Sequence, residues 1–377
     1  MANGLQTSYD FSTGVKINMD EAIYMLSPLD TPLLTGVGTN GNTVLPSMPV
    51  DETRFYWMDE EALLPRSTLA AAAATTDAFI TVQGNDHLLR FSTGDMLVVH
   101  KAGSTERMRV TGYGTTADTL TVTRAYAGTA TNYGIGAEVV ALGTALPEGS
   151  AAEDGRSLDR DQYYNLTQIF GPTRVSITRT EQTRSKYGVA DEFAHQLFLR
   201  IKEATIAREQ AYLYGVRTES TVTKIRTTGG IDYFLTSNVD ATSTALTVAK
   251  IEANMLNCYD AGAVPDQLWV NPRATADLNS AQDSLVRVTN VETRRGNMPV
   301  QLVTTEYGDV QIVRNRWIYK ANAFGVNRDA VTRRVFTPMI TEKLAKVADR
   351  EDWHFLCEEG LEVKGEQHCM KFTALNY

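Results

Sequence analysis

The sequence predicts an α+β fold that carries a small all-β insert, and three stretches of the chain predict it. Residues 189–215 read as one long helix, with no proline and no glycine before Gly215. Residues 227–314 alternate between helical and strand-like segments, which is typical of an α+β domain. Residues 67–146 hold short strand-like segments between glycine turns, which favours a small barrel or sandwich inserted in a host fold.

The long helix has clear end signals and two apolar stripes. Asp191 and Glu192 lie in its first turn and Gly215 follows its last, in agreement with the helix dipole and the C-terminal glycine preference. A broad stripe, expected to pack on the helix's own domain, contains Val189, Phe193, Leu197, Phe198, Ile201, Ala204, Ala211 and Tyr212. A narrow stripe, expected to contact something else, contains Leu199, Ile206 and Leu213. Glu209 is among the polar residues that border the narrow stripe.

The insert is predicted to contain five short strands. Turn signals such as Gly84-Asn85 and Gly103-Ser104 separate them. The strands are expected at residues 78–82, 95–100, 106–111, 119–124 and 138–142. Residues 149–155, rich in glycine and alanine, are interpreted as the linker that returns the chain to the host fold.

Shorter elements are expected on both sides of the long helix. Before it, the pattern predicts a short helix at residues 19–25, extended chain over 43–64 and strand-like chain over 163–180. After it, the pattern predicts a helix at 247–261 that ends at Gly262, a buried strand at 267–270, a helix from Pro272, and a hairpin of 300–304 with 309–314. The tail is predicted to form strands at residues 340–345, 353–363 and 366–375.

Composition limits the class of protein. The chain has 377 residues, 43% apolar and 21% charged, as in an ordinary folded protein of two or three domains. The net charge of −9 argues against a general nucleic-acid binder, because such proteins neutralise phosphates with lysine and arginine. No apolar run approaches the ~18 residues of a membrane span, and no secretory signal is expected. The three cysteines, without a Cys-x-x-Cys spacing, indicate a reducing environment.

The usual catalytic and metal-binding motifs are absent from the sequence. It contains no GxSxG, no GxxxxGK[ST] and no HExxH. Cys357, His368 and Cys369 are better interpreted as structural than as zinc ligands, because adjacent strand residues point to opposite faces. Residues 59–61, all acidic, are better interpreted as a solvated or ion-paired loop than as a hydrolytic carboxylate pair. We therefore expect no catalytic residue, no cofactor and no metal.

Arginines concentrate late in the chain, and three interpretations of them stay open. They are simple solvated charge, they pair across subunits with the acidic segment 51–61, or they contact DNA. The arginines concerned are Arg294, Arg295, Arg314, Arg316, Arg328, Arg333 and Arg334.

Several short motifs are individually weak, but their order and spacing are informative. They lie at residues 27–34 (SPLDTPLL), 165–170 (NLTQIF), 175–178 (VSIT), 209–215 (EQAYLYG), 229–231 (GGI), 341–346 (TEKLAK) and 358–368 (EEGLEVKGEQH). Together they resemble the major capsid proteins of tailed bacteriophages with the Hong Kong 97 type shell fold. Within that group the chain is most similar to a branch formerly filed as a family of unknown function.

The resemblance implies a division of the chain into the parts of a shell subunit. The long helix would be the spine helix of a peripheral domain, and an axial domain would gather around five- and six-fold axes. The implied parts are an N-terminal arm (1–46), the two halves of an extended loop (47–66 and 147–165), the inserted β domain (67–146), the peripheral domain with the spine helix (166–219), the axial domain (220–337) and the peripheral C-terminal strands (338–377). The insert would clamp neighbouring subunits, dock a decoration protein or touch host sugars, and we favour clamping.

The resemblance also implies partners. The chain would bind further copies of itself in hexamers and pentamers and would act with a portal and a separate scaffolding protein, with a decoration protein left open. Any contact with packaged double-stranded DNA would be non-specific, and assembly would take place in the host cytoplasm without a membrane. No lysine lies between Lys16 and Lys101, so we expect no covalent crosslink from the extended loop proper. Candidate contact residues between subunits are Asp59, Glu60, Glu61, Leu199, Ile206, Leu213, Arg294, Arg295, Arg314 and Arg316.

Two other functions are weighed against a phage shell. An encapsulin, a cellular compartment with the same fold, would load enzymes in place of a genome. A carbohydrate-binding or carbohydrate-active protein would be centred on residues 67–146 and would remain monomeric. The favoured prediction is nevertheless the icosahedral head shell of a tailed bacteriophage.

Overall fold

Six α-helices occur in the part of the chain that the computed structural model describes, which is residues 30–36, 44–60, 64–83, 90–114, 118–150, 160–184, 189, 191–282 and 302–376. They are α1 (Pro32–Thr35), α2 (Arg179–Thr183), α3 (Glu192–Tyr214), α4 (Ile231–Phe234), α5 (Val248–Ala261) and α6 (Pro272–Gln282). The chain divides into two units, a larger one of residues 1–58 with 162–377 and a smaller one of residues 59–161. The helix expected at 19–25 lies outside the described residues.

The strands follow the predicted pattern in part, because the strand predicted at 340–345 begins at Val331 and the first residues of the one predicted at 366–375 form a short 3-10 helix, Glu366–His368. In the larger unit they are β1 (Ser47–Pro49), β2 (Arg54–Asp59), β9 (Asp161–Leu166), β10 (Gln168–Thr178), β11 (Thr218–Glu219), β12 (Arg226–Thr227), β13 (Val239–Asp240), β14 (Gln267–Val270), β15 (Leu302–Thr305), β16 (Gly308–Arg314), β17 (Ala323–Val326), β18 (Val331–Lys343), β19 (Arg350–Val363) and β20 (Met370–Phe372). In the smaller unit they are β3 (Arg66–Thr68), β4 (Phe79–Thr81), β5 (Asp95–Val99), β6 (Arg107–Tyr113), β7 (Thr119–Ala127) and β8 (Glu138–Thr144).

Helix α3 confirms the predicted long helix, but its buried face differs from the predicted one. Asp191 caps it by accepting the N–H of Phe193 at 2.9 Å, and Gly215 ends it. Its buried residues are Thr205, Arg208, Glu209, Tyr212 and Leu213. Phe198, predicted to be buried, is 51% exposed. The prediction failed because this helix buries charges that are paired or hydrogen-bonded, and a count of apolar residues does not detect such a face.

The larger unit contains two larger sheets, besides the two-stranded sheets β2-β9 and β11-β12. The first has the order β1-β18-β19-β10, with β18 and β19 as a long antiparallel hairpin and β10 antiparallel to β19. Helix α3 packs on this sheet, where the Phe193 and Trp353 rings lie 5.4 Å apart. The second sheet has the order β13-β20-β17-β14-β16-β15 and contains the predicted hairpin of β15 and β16.

One core cluster of the larger unit brings residues near the beginning of the described chain into contact with α3 and β19. Leu33, Leu34 and Leu45 pack in one cluster with Leu213 of α3 and Leu361 of β19. A second cluster lies under α5 and α6, and α5 ends at Gly262 with φ +116°, as its sequence predicts. Among the residues that the structure describes, both clusters contain members of the larger unit alone.

The smaller unit is a six-stranded antiparallel sheet with the order β3-β8-β5-β6-β7-β4. Leu69 pairs with Val82, and the N–H of Ala70 donates to the carbonyl of Thr81 at 2.9 Å. Because these contacts join the first and last strands of the order, the sheet closes into a small barrel. Apolar side chains fill its interior, and all five expected strands occur together with the additional β3.

The three cysteines, Cys258, Cys357 and Cys369, are buried free thiols. Burial raises the pKa of Cys369 to about 12, so it is unreactive at neutral pH. No helix of the described residues is long and apolar enough to cross a membrane. No cluster of three or more histidine, cysteine or carboxylate side chains occurs among those residues in a metal-binding arrangement.

Candidate functional site

Glu209, near the C-terminal end of α3, ties three parts of the larger unit together. Its side chain is fully buried. Its carboxylate accepts a hydrogen bond from the backbone N–H of Leu33 at 3.3 Å and another from the side-chain amide of Asn315. Asn315 in turn accepts the N–H of Trp317 at 2.8 Å, and the Trp317 indole donates to the carbonyl of Asp30 at 2.7 Å. Residues 30–36 are therefore fixed to the helix by buried polar contacts.

The environment of Glu209 favours its protonated form. Burial raises the pKa of Glu209 from 4.5 to about 8, and the hydrogen bonds from Asn315, Leu33 and Leu34 offset only part of that effect. No lysine or arginine within the described residues forms an ion pair with it. A buried carboxyl that has only neutral partners avoids the cost of an uncompensated charge by holding its proton near neutral pH.

One turn further along the helix, Tyr212 joins α3 to the C-terminal strands. Its hydroxyl donates to the carboxylate of Glu359 in β19, and the Arg208 guanidinium lies 3.3 Å from the same oxygen. Arg333 of β18 lies 3.9 Å from it. Burial and the Glu359 carboxylate raise the pKa of Tyr212 well above 10, so its hydroxyl remains a donor. This cluster shows why the buried face of α3 is polar.

Asn165, at the end of β9, holds the glycine turn that follows α3. Its amide nitrogen donates to Thr228 Oγ1 at 3.1 Å and to the carbonyls of Gly229 and Leu361. Its amide oxygen accepts the N–H groups of Leu166 and Gly229, each at 2.8 Å. A fully buried amide with every partner in place fixes the path of three chain segments at once.

These contacts define one feature, which we call the junction: Asn165, Glu209, Tyr212, Thr228, Asn315, Glu359 and Leu361. The motifs at 165–170, 209–215, 229–231 and 358–368 meet in it, although they are far apart in sequence. Residues 30–36, from the motif at 27–34, are attached to it through Leu33. The junction therefore connects residues 30–36, the end of β9, α3 and β19 within the larger unit.

Strands β2 and β9 form a two-stranded ribbon whose outer side is aromatic and basic. The Arg217 guanidinium lies 3.8 Å from the centre of the Tyr164 ring, and Arg54, which forms an ion pair with Glu219, lies 5.2 Å from it. Tyr56 and Met58, on the same strand side as Arg54, are 52% and 58% exposed. Tyrosine, methionine and arginine are enriched in protein interfaces, so this side of the ribbon is a candidate contact surface.

A separate buried ion pair organises the smaller unit. The Glu106 carboxylate accepts both Nε and Nη2 of Arg124, at 2.8 and 3.0 Å, and also the N–H groups of Ala125 and Thr131. Burial alone would raise the pKa of Glu106, but these hydrogen bonds outweigh it and lower the pKa. The pair ties the loops at one end of the barrel, and it has a structural role.

The predicted contact residues fall into different classes. Leu199 and Ile206 are half-buried, and Leu213 is fully buried in the unit's own core, so Leu213 is wrong as a surface residue. Arg316 lies 3.5 Å from Asp30 of the same chain, and Glu60 lies 3.3 Å from Arg160. Arg314 ends β16, Asp59 ends β2, and both have partners within the chain. Glu61, Arg294 and Arg295 lie outside the described residues.

Two further arginines that were considered for contacts between subunits have partners within the chain. Arg333 lies near Glu359, and Arg334 pairs with Glu362 of the neighbouring strand. The junction itself was not predicted as a site, because the sequence places Glu209 only among the polar residues that border the narrow stripe. The order of the motifs was the signal that could have revealed it, since those motifs supply most of its residues.

Comparison with known proteins gives one family and one fold. The model of a family described as SU10 major capsid protein matches residues 4–376. The capsid of an empty GTA particle is similar, with 9% identity, a TM-score of 0.53, and coverage of 99% of this chain and 100% of that chain. A protein of Microbacterium phage Oxtober96 has 11% identity and a TM-score of 0.51, with 95% and 96% coverage.

A weaker similarity connects the chain to the holo-SrpI encapsulin complex of Synechococcus elongatus PCC 7942. It has 11% identity and a TM-score of 0.41, with coverage of 58% of this chain and 76% of that chain. No curated protein matches the sequence. The solved structures establish the Hong Kong 97 type fold.

Proposed function

The chain belongs to the SU10 major capsid protein family, and from this premise we propose that its copies enclose the double-stranded DNA of a tailed bacteriophage. As a major capsid protein it is a structural subunit of an icosahedral shell. We propose further that it has no catalytic role and binds no cofactor. The match over residues 4–376 is the observation that carries the shell function.

We propose that the junction serves this function as a rigid base for segments that reach neighbouring subunits. A shell subunit that binds its neighbours through extended segments needs those segments fixed at the point where they leave its body, because a loose base would cost ordering entropy at each contact. The contacts of Glu209 with Leu33 and of Asn165 with Gly229 support such a base. The exposed side of the β2–β9 ribbon is the surface we assign to a neighbouring copy.

The finer division of the chain is part of the same proposal. We assign residues 1–46 to an arm, 47–66 and 147–165 to an extended loop, and 220–337 to an axial domain. Peripheral segments at 166–219 and 338–377 flank the axial domain, and 67–146 is an insert. A portal and a separate scaffolding protein are the partners we propose, with assembly in the host cytoplasm. The net charge of −9 supports non-specific contact at most with the packaged DNA.

Electron microscopy of the purified protein, alone and co-expressed with the genes beside its own, tests the proposal. Uniform icosahedral shells or capsomers are expected, and nuclease-protected DNA is expected in particles taken from infected cells. A monomer that persists at micromolar concentration would contradict the shell function. Shells that contain a peroxidase or ferritin-like enzyme in place of DNA would assign the chain to a cellular compartment instead.

A further inference from the structure

Two strands of the smaller unit are apolar on both sides. Strand β5 contains Met96-Leu97-Val98-Val99, and β8 contains Val139-Val140-Ala141-Leu142. Leu97, Val99 and Val139 fill the barrel interior. Because successive strand residues point to opposite sides, Met96, Val98, Val140 and Leu142 lie on the outside. Continuous apolar runs are typical of strands that are covered on both faces.

Strand register places these outer residues side by side and next to arginines. Val98 pairs with Val140, which also pairs with Arg66 of β3, and Met96 pairs with Arg109 of β6. Arg107, two residues before Arg109, faces the same side. Leu142 is 58% exposed, and the other apolar members are half-buried. We call this surface the β5–β8 face: Arg66, Met96, Val98, Arg107, Arg109, Val140 and Leu142.

Described carboxylates do not neutralise the two arginines that β6 contributes to the β5–β8 face. Within the described part of the chain, Arg107 donates to the carbonyl of Glu106 at 2.9 Å and Arg109 to the carbonyl of Ala145 at 3.4 Å. Neither guanidinium pairs with a described carboxylate, and Nε of Arg109 is buried without a described hydrogen-bond partner. One acidic residue, Glu138, lies on the same side of β8, two residues before Val140.

We propose that the β5–β8 face is a docking surface for an acidic surface of a second copy of this chain. This inference rests on the proposed function, in which many copies pack in one shell. Charge complementarity supports that occupant, since the chain carries a net charge of −9 while this face presents arginines around an apolar strip. Arginine and methionine around apolar side chains are the composition of the centre of a protein interface.

Reversal of one charge in the full-length protein tests the inference. Arg109→Glu is compared with Lys101→Glu, which makes the same change of charge at an exposed residue of the turn after β5. Shell yield is measured by sedimentation and electron microscopy, and folding by circular dichroism of the unassembled subunit. We expect Arg109→Glu to reduce shell yield by about tenfold or more and Lys101→Glu to leave it within about twofold, as for a charge inside an interface compared with one outside it. If Arg109→Glu fails to fold, Arg109→Gln provides the neutral comparison, with a smaller loss expected.

The outcomes separate this inference from the proposed function. If the unchanged protein forms shells and Arg109→Glu forms them equally well, the β5–β8 face does not bind a second copy and the inference is overturned. Normal shells of Arg109→Glu that lose retention on heparin or on glycans would also overturn it, because the occupant would then be a polyanion or a sugar. If the unchanged protein forms no shells under any condition, the proposed function itself fails and the inference falls with it.

Discussion

The Glu209 carboxylate lies 3.3 Å from the backbone nitrogen of Leu33, a residue that precedes it by 176 positions. The contact is buried and connects α3 to the segment of residues 30–36. Two other buried carboxylates face an arginine, since Glu106 faces Arg124 and Glu359 faces Arg208. Glu209 has neutral donors only among the described residues, so its protonation state controls the strength of this attachment.

Stability is expected to fall as pH rises toward 8 because of Glu209. Its pKa is raised from 4.5 to about 8 in the folded protein, so its favourable contribution is complete below about pH 4.5 and is lost as pH rises through 8. One such group changes the free energy of unfolding by at most about 1.4 kcal/mol per pH unit. Glu209→Gln should flatten the profile between pH 5 and 8, measured by urea denaturation of the unassembled subunit.

Glu203→Gln is the matched control for this titration, because Glu203 is exposed on the same helix and pairs with Arg200. Its profile should follow that of the unchanged protein. Parallel pH profiles for the unchanged protein and Glu209→Gln would show that Glu209 does not titrate in this range.

Replacement of Asn165 should destabilise the larger unit strongly. Asn165→Asp removes the two donors and places a carboxylate oxygen near the carbonyls of Gly229 and Leu361. Loss of several buried hydrogen bonds, with partners left unsatisfied, is expected to cost about 3 kcal/mol or more. Asn257→Asp, at an exposed residue of α5, makes the same chemical change and should cost less than about 1 kcal/mol. Similar denaturation midpoints for the two variants would contradict the role of Asn165.

The comparison of sequence with structure is clearest along α3. Its ends were predictable, because Asp191 and Gly215 are strong local signals that act through the backbone. Its buried face was not predictable, because Glu209 and Arg208 are buried only through partners more than a hundred positions away. Asn165 was recognised as part of a motif, but its role depends on where the chain brings Gly229 and Leu361.

The smaller unit shows the same contrast between local signals, which the sequence reveals, and contacts between distant residues, which it does not. Alternation and glycine turns predicted the strands, since those signals lie within a few residues of each other. The closure of the barrel through Leu69 and Val82 is a pairing of distant residues that alternation does not encode. The apolar outer residues of β5 and β8 could have been noticed in the sequence, because each strand has four consecutive apolar residues.

A negative charge should reduce the stability of the subunit strongly at one position of α3 and only slightly at another. Leu213→Asp buries a carboxylate in the core and is expected to cost about 4 kcal/mol or more, or to prevent folding. Phe198→Asp changes a side chain that is 51% exposed and should cost less than about 1 kcal/mol, while it reduces shell yield if this side of α3 meets a neighbour. Leu197 and Ile206 are both half-buried, so substitution of these residues would not separate a loss of subunit stability from a loss of assembly. Equal loss of stability in the two variants, measured by thermal denaturation, would show that the outer side of α3 is covered within the subunit.

Removal of the barrel should leave the larger unit folded. The carbonyl of Pro65 accepts the N–H of Ala141 at 2.7 Å, and Arg66 pairs with Val140, so the two ends of the barrel segment lie about 5 Å apart. Deletion of residues 66–140 with a link of two glycines therefore requires little movement of the flanking chain. Because neither core cluster of the larger unit includes a barrel residue, the variant should keep its circular dichroism signal and a thermal midpoint within a few degrees of the unchanged protein. Leu268→Asp in the full chain is the control for loss of this core, because Leu268 of β14 belongs to the second cluster. This variant should lose the cooperative thermal transition. A deletion variant that is insoluble or lacks a cooperative transition would mean that the larger unit depends on the barrel for its stability.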